Sequence, residues 1–183
     1  TYQRNAQYLA KVFAPYFPES EKQFMQELAE QNQQPAFKKN TVLISPDEIS
    51  RRAQFWESYL KKFPQSSYKH DAQYLRDVYS SLLFLGLEDW PVSVDFEGEL
   101  DIQPTSLSQI QRLAEQKNSR LADQARLFLK FIEMDQAQRL KALGITENSS
   151  ATTPNARQQL QQYLHLKPFD FSKPAARDCF RDA

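Results

Sequence analysis

The hydrophobic positions of this 183-residue chain recur mainly at intervals of three and four, the period of a helix that buries one face. Tyr2, Ala6, Leu9 and Phe13 form one such stripe and predict a helix over 2–14. Pro15 and Pro18 interrupt it. Residues 19–31 resume the pattern, with Phe24, Met25 and Leu28 as the expected buried face. The stretch 32–45 loses the period and contains Pro35, which predicts a loop with a short extended piece at 41–44.

Ser45-Pro46-Asp47-Glu48 is the clearest helix start in the chain. Ser45 can cap, Pro46 suits the first helical position, and Glu48 stands three residues on to close a capping box. This helix runs to Phe63, where Pro64 stops it. Its apolar positions are Ile49, Ala53, Trp56, Leu60 and Phe63, widened by Phe55 and Tyr59. Ser66 or Ser67 caps a further helix to Leu85, with Gly86 as a left-handed C-cap. So short a connection between two apolar helices predicts an antiparallel hairpin.

The pattern changes over 87–104. Val92, Val94 and Phe96 alternate with polar residues, and the stretch carries acids but no base. It predicts an acidic loop with at most one short strand or hairpin. Helices resume after Pro104, where Ser106 and Gln109 offer a second capping box. One helix is expected to about Gln116. Another, capped by Asn118 or Ser119, is expected to run to Leu143 before Gly144. Residues 145–153 form a polar linker, Thr153-Pro154 opens a helix to Leu164, and a last short helix is expected over 175–180. The chain therefore divides into a helical array over 1–144 and a linker with C-terminal helices over 145–183, all-α throughout.

Composition supports this class. Gly is rare, at 3 residues, whereas β-sandwiches and barrels need it for tight turns. The formal net charge is zero, from 23 basic and 23 acidic residues. That balance argues against a dedicated nucleic-acid binder, which needs a cationic face to displace counterions. No apolar run approaches the roughly 18 residues of a membrane span. The single Cys179 excludes an internal disulfide.

A repeat is visible. Asn5-Ala6-Gln7-Tyr8-Leu9 recurs as Asp71-Ala72-Gln73-Tyr74-Leu75, and each copy leads to a Val–aromatic pair, Val12-Phe13 and Val78-Tyr79. The offset is close to two units of a helix–turn–helix repeat of roughly 34 residues. Trp56, Phe63 and Ala72, together with the run from Tyr59 through Phe63-Pro64-Gln65-Ser66-Ser67 to Tyr68, resemble a tetratricopeptide unit. The variant is the one common in bacterial envelope lipoproteins and periplasmic assembly proteins. In such a unit a small residue on the second helix lets two backbones approach, while aromatics on the first fill the surrounding groove. The chain departs from the pattern at Leu60, Arg76, Tyr79 and Phe84, and the hairpin 106–143 matches only through Ala122.

The resemblance implies a stack of antiparallel helical hairpins. It implies an interaction module for another protein or peptide in a bacterial envelope assembly, periplasmic or membrane-anchored, with a cytoplasmic setting as the alternative. If the first copy of the repeat is genuine, its partner helix precedes Thr1 and the natural chain is longer there. Nothing in the residues sets the oligomeric state.

Candidate contact residues are Tyr59, Tyr68, Tyr74 and Tyr79, which a concave helical face could present, although packing between hairpins is the competing reading for each. Asp95, Glu97, Glu99 and Asp101 would share one face of an extended segment, either as a solvated surface or as a dock for a basic partner. Calcium is a lesser reading of those four, because Gly98 is misplaced for an EF-hand and the terminal bidentate Glu is missing. His70, His165 and Cys179 lack spaced ligand or nucleophile partners, so no catalytic residue, metal or cofactor is implied. A small enzyme, or an accessory domain acting on cell-wall material, is the alternative function.

Overall fold

A computed structural model describes residues 6–38, 40–145 and 154–169. The terminal helix expected over 175–180, the linker core and Cys179 lie outside the described residues. Within them are eight α-helices and one two-stranded hairpin. The helices are α1 (Ala6–Phe13), α2 (Glu19–Gln33), α3 (Pro46–Lys62), α4 (Lys69–Leu85), α5 (Pro104–Ala114), α6 (Arg120–Ile132), α7 (Gln136–Ala142) and α8 (Ala156–Tyr163). Strands β1 (Phe37–Lys38) and β2 (Thr41–Val42) pair antiparallel; β2 falls within the extended piece foreseen at 41–44, and its partner β1 lies in the stretch expected as loop.

The central pair is the α3/α4 hairpin. Ser45 caps α3 by accepting the Glu48 N–H. The return half of the expected box does not form, because the Glu48 carboxylate instead takes hydrogen bonds from Arg51 and Arg52. The turn that follows is held by Ser66, whose hydroxyl oxygen accepts the Tyr68 N–H and meets the Tyr59 hydroxyl. Ala53, Trp56 and Ala72 are wholly buried between the helices. At the end of α4, Gly86 has φ +69° but an extended ψ of −161°. Its glycine is needed for another reason than a left-handed cap: a Cβ there would lie 2.3 Å from the Trp90 carbonyl oxygen.

The α5/α6 hairpin packs across α3 and α4, and α8 packs on α6 and α7. Phe84, Phe96, Ile110, Leu113, Phe128, Phe131 and Leu160 fill the space between them. Several sequence expectations change. α4 starts at Lys69 behind Tyr68, with no side-chain cap from Ser66 or Ser67, and α8 starts at Ala156 under an Asn155–Gln158 capping box, not at Thr153-Pro154. α5 starts at Pro104 with Gln103 as its cap, so the Ser106–Gln109 box is not used and Ser106 is buried inside the helix. The helix expected over 119–143 is two helices, divided where Asp135 caps α7 in a full box with Gln138. Ser119 does cap α6, as foreseen. Finally, the inward line of α1 and the 3-10 turn 14–16 runs through Ala10 and Ala14; Phe13, placed on the buried stripe by its spacing, is 47% exposed.

α2 seats on the α3/α4 hairpin through long side chains. The Phe24 ring stacks on Tyr68 at 4.3 Å and touches Trp56 and Tyr59. Beside this aromatic cage runs a polar seam. Gln31 accepts the Trp56 indole N–H at 3.1 Å and donates to Glu27. Arg52, 1% exposed, donates to Glu48 and to the Tyr79 hydroxyl. Buried polar groups are tolerated here because each finds a partner.

Candidate functional site

The four tyrosines singled out by sequence divide sharply. Tyr59 is buried, donating its hydroxyl to the Ser20 carbonyl and meeting Ser66. Tyr79 is buried too, its hydroxyl accepting from Arg52 and its pKa raised by burial. Both are packing residues and offer no contact face. Tyr68 is half-buried against Phe24. Tyr74 alone is exposed, and its ring meets Phe169 edge-on at 5.6 Å. The structure does not gather the four into one concave surface.

The acidic segment is also arranged differently from an extended ribbon. It coils, with Phe96 in the left-handed region at φ +56° and a 3-10 turn over Glu99–Asp101. Asp101 turns its carboxylate into the loop, accepting the Ser93 hydroxyl and the N–H groups of Asp95 and Glu97. Those bonds, the Ser93 one foremost, hold its pKa below the usual aspartate range. Glu99 accepts from Gln111. Asp95 and Glu97 project outward, while Arg139 donates to the carbonyls of Asp95 and Phe96 and lies over the Phe131 ring at 4.5 Å. The four acids are all exposed, but on a coiled segment with a 3-10 turn and not on an extended one.

His70 and His165 are exposed. No group of three or more His, Cys, Asp or Glu among the described residues could hold a metal ion. No helix among them is long and apolar enough to cross a membrane.

Two features were not singled out from sequence. The first is an exposed apolar face on α1 and the 3-10 turn, made by Tyr8, Val12, Phe13, Tyr16 and Phe17, from 38% to 86% exposed. Of these only Phe13 stood on the stripe expected to be buried; the buried positions are Ala10 and Ala14. The second is a cavity of about 330 Å³ where α4 ends beside α8 and the 166–169 segment. Arg157 lines it and donates to the carbonyls of Leu85 and Gly86 at 2.6 and 2.8 Å. Its partners lie far away in sequence, so no local pattern announces it.

The fold defines a helical protein of the all-α class. The chain matches no family model, no curated protein and no solved structure.

Proposed function

We propose that this chain is a protein-interaction module that binds another protein or peptide through the apolar face of α1 and the 3-10 turn. The observation that carries the reading is the crowding of five exposed apolar side chains, three of them Phe or Tyr in the run Phe13–Phe17, into residues 8–17. Isolated exposed apolar residues are ordinary; a contiguous group marks an interaction surface. Aromatics suit the task because they present much contact area with few rotatable bonds. The pairing of Trp56 with Ala72 in the α3/α4 hairpin supports a platform of the tetratricopeptide kind. The stacked-hairpin form and the bacterial-envelope setting rest on that resemblance alone.

The test uses the full chain with a photoreactive benzophenone side chain at Tyr16. The expected result is a cross-link to one saturable partner in envelope extracts, lost when Phe13 and Phe17 are both changed to Ser while the helical circular dichroism is kept. Cross-linking that is unaffected by those changes, or that never saturates, overturns the reading.

A further inference from the structure

The cavity beside α8 has a mixed wall. Leu85 and Leu87, both buried, and the half-buried Phe169 supply its apolar part; Arg157, Gln161 and Lys167 supply polar heads. Its volume of about 330 Å³ stands at the small end of the range for ligand sites.

The charges are unevenly satisfied. Lys167 is paired with Asp77 at 2.7 Å. Arg157 has no carboxylate within ion-pair distance among the described residues; its two terminal nitrogens reach the last carbonyls of α4 instead. A cation is favourable at a helix C-terminus, which accounts for that pair of bonds. A guanidinium has five N–H donors, so three remain. The two carbonyls also fix the plane of the fork, and an immobilised fork binds a planar anion with less loss of freedom than a mobile one. Burial lowers the Arg157 pKa, with Glu88 acting against that from a distance. A bound anion would offset that cost through its opposite charge.

We infer that this cavity binds a small organic monocarboxylate, its carboxylate on the free N–H groups of Arg157 and its apolar body against Leu85, Leu87 and Phe169. A single negative charge fits better than phosphate. Arg157 is held by carbonyls and not by an ion pair, and Glu88, which acts on it from the same wall, repels a dianion more strongly than a monoanion. None of these residues belongs to the α1 face, so the outcome here is separate from that of the partner-binding reading.

The experiment is a titration of the full ¹⁵N-labelled chain with benzoate, its neutral analogue benzamide, and inorganic phosphate. Benzoate should give saturable shifts at the Ser81, Leu87 and Gln161 amides and at the Arg157 side-chain N–H. Benzamide and phosphate should each bind at least about tenfold more weakly. Arg157→Lys keeps a positive charge under α4 but loses the fork, and should also weaken benzoate at least about tenfold. Equal binding of benzoate and benzamide by the parent chain overturns the inference, as do non-saturating shifts or shifts mapping elsewhere. That comparison decides the matter even if the Lys variant folds poorly.

Discussion

Glu57 on α3 and Ser119 before α6 are joined by a 2.6 Å hydrogen bond, and the same carboxylate accepts the Arg120 backbone N–H at 2.6 Å. The central hairpin thus places a buried negative charge on the N-terminus of a neighbouring helix, where the helix dipole favours it. Lys61, one turn along α3, balances it at 3.1 Å. The sequence gap between these partners makes this a tertiary cap, added to the local one that Ser119 supplies to Ala122.

Replacing Glu57 with Gln keeps the shape and removes the charge. The amide oxygen can accept only part of what the carboxylate accepts, and the dipole interaction is lost. Unfolding free energy should fall by about 1–2 kcal/mol, read from urea denaturation of parent and variant at neutral pH. An unchanged midpoint would mean that Glu57 does not hold α6 in solution.

Ala72 has no exposed surface and sits in the core with Trp56. Adding three carbons at a closely packed site forces side chains off their rotamers or moves a backbone. Ala72→Leu should therefore destabilise by about 1–3 kcal/mol, visible as a lower melting temperature by circular dichroism. A variant melting with the parent would show that the two helices do not approach closely at this point.

Acid should weaken the seat of α2 and α3 in a defined window. The Glu48 carboxyl is lowered to about 2 from an ordinary 4.5, first by its hydrogen bond from Arg51 and then by Arg52 and both positive charges, against the opposing effect of burial. A depressed folded pKa means that the unfolded chain binds the proton more readily. The stabilisation is complete above the unfolded value and is lost as pH falls from 4.5 towards 2. Asp101 and Glu21 are shifted in the same direction. Urea midpoints should therefore drop between about pH 5 and pH 2, and Glu48→Gln should be less stable at neutral pH with a shallower drop. A variant with the parent's full acid slope would assign the effect to other carboxyls.

What could be read in the sequence was what local chemistry decides. Ser45 and Ser119 cap their helices because a side-chain oxygen needs only the N–H three residues on. The break at Asp135 was local as well, since Asp135 and Gln138 form a capping box, but no Pro or Gly marked it and the apolar spacing ran straight through. The Tyr59 and Tyr79 placements were not legible. An amphipathic ring can face either way, and what turned these inward was Ser20, Ser66 and Arg52, supplied by other turns of the fold. Periodicity predicted a helix at α1 but turned Phe13 inward, whereas Ala10 and Ala14 are the buried positions. The acidic segment showed its charges but not its coiled backbone, whose Asp95 and Phe96 carbonyls accept from a buried cation of α7.

That cation, Arg139, yields the last prediction. It is 3% exposed and donates to the carbonyls of Asp95 and Phe96 while covering the Phe131 ring. Phe96 holds a left-handed backbone at φ +56°, a conformation costing a non-glycine residue roughly 1–2 kcal/mol. Its ring is wholly buried, edge-on to Phe128, and its N–H goes to Ser93. The strained turn therefore persists because several contacts determine it together. Arg139→Met keeps an apolar chain over Phe131 but removes both donors, leaving a buried Phe96 carbonyl unpaired at a cost of about 1–3 kcal/mol. Because the lost bonds all end in one loop, the effect should be regional. Amide hydrogen exchange should quicken at Asp95–Gly98, including the Gly98 N–H that donates to Ile132, while α3 and α4 keep the parent's protection. Equal acceleration in α4 would show that Arg139 supports the whole core, not the turn alone.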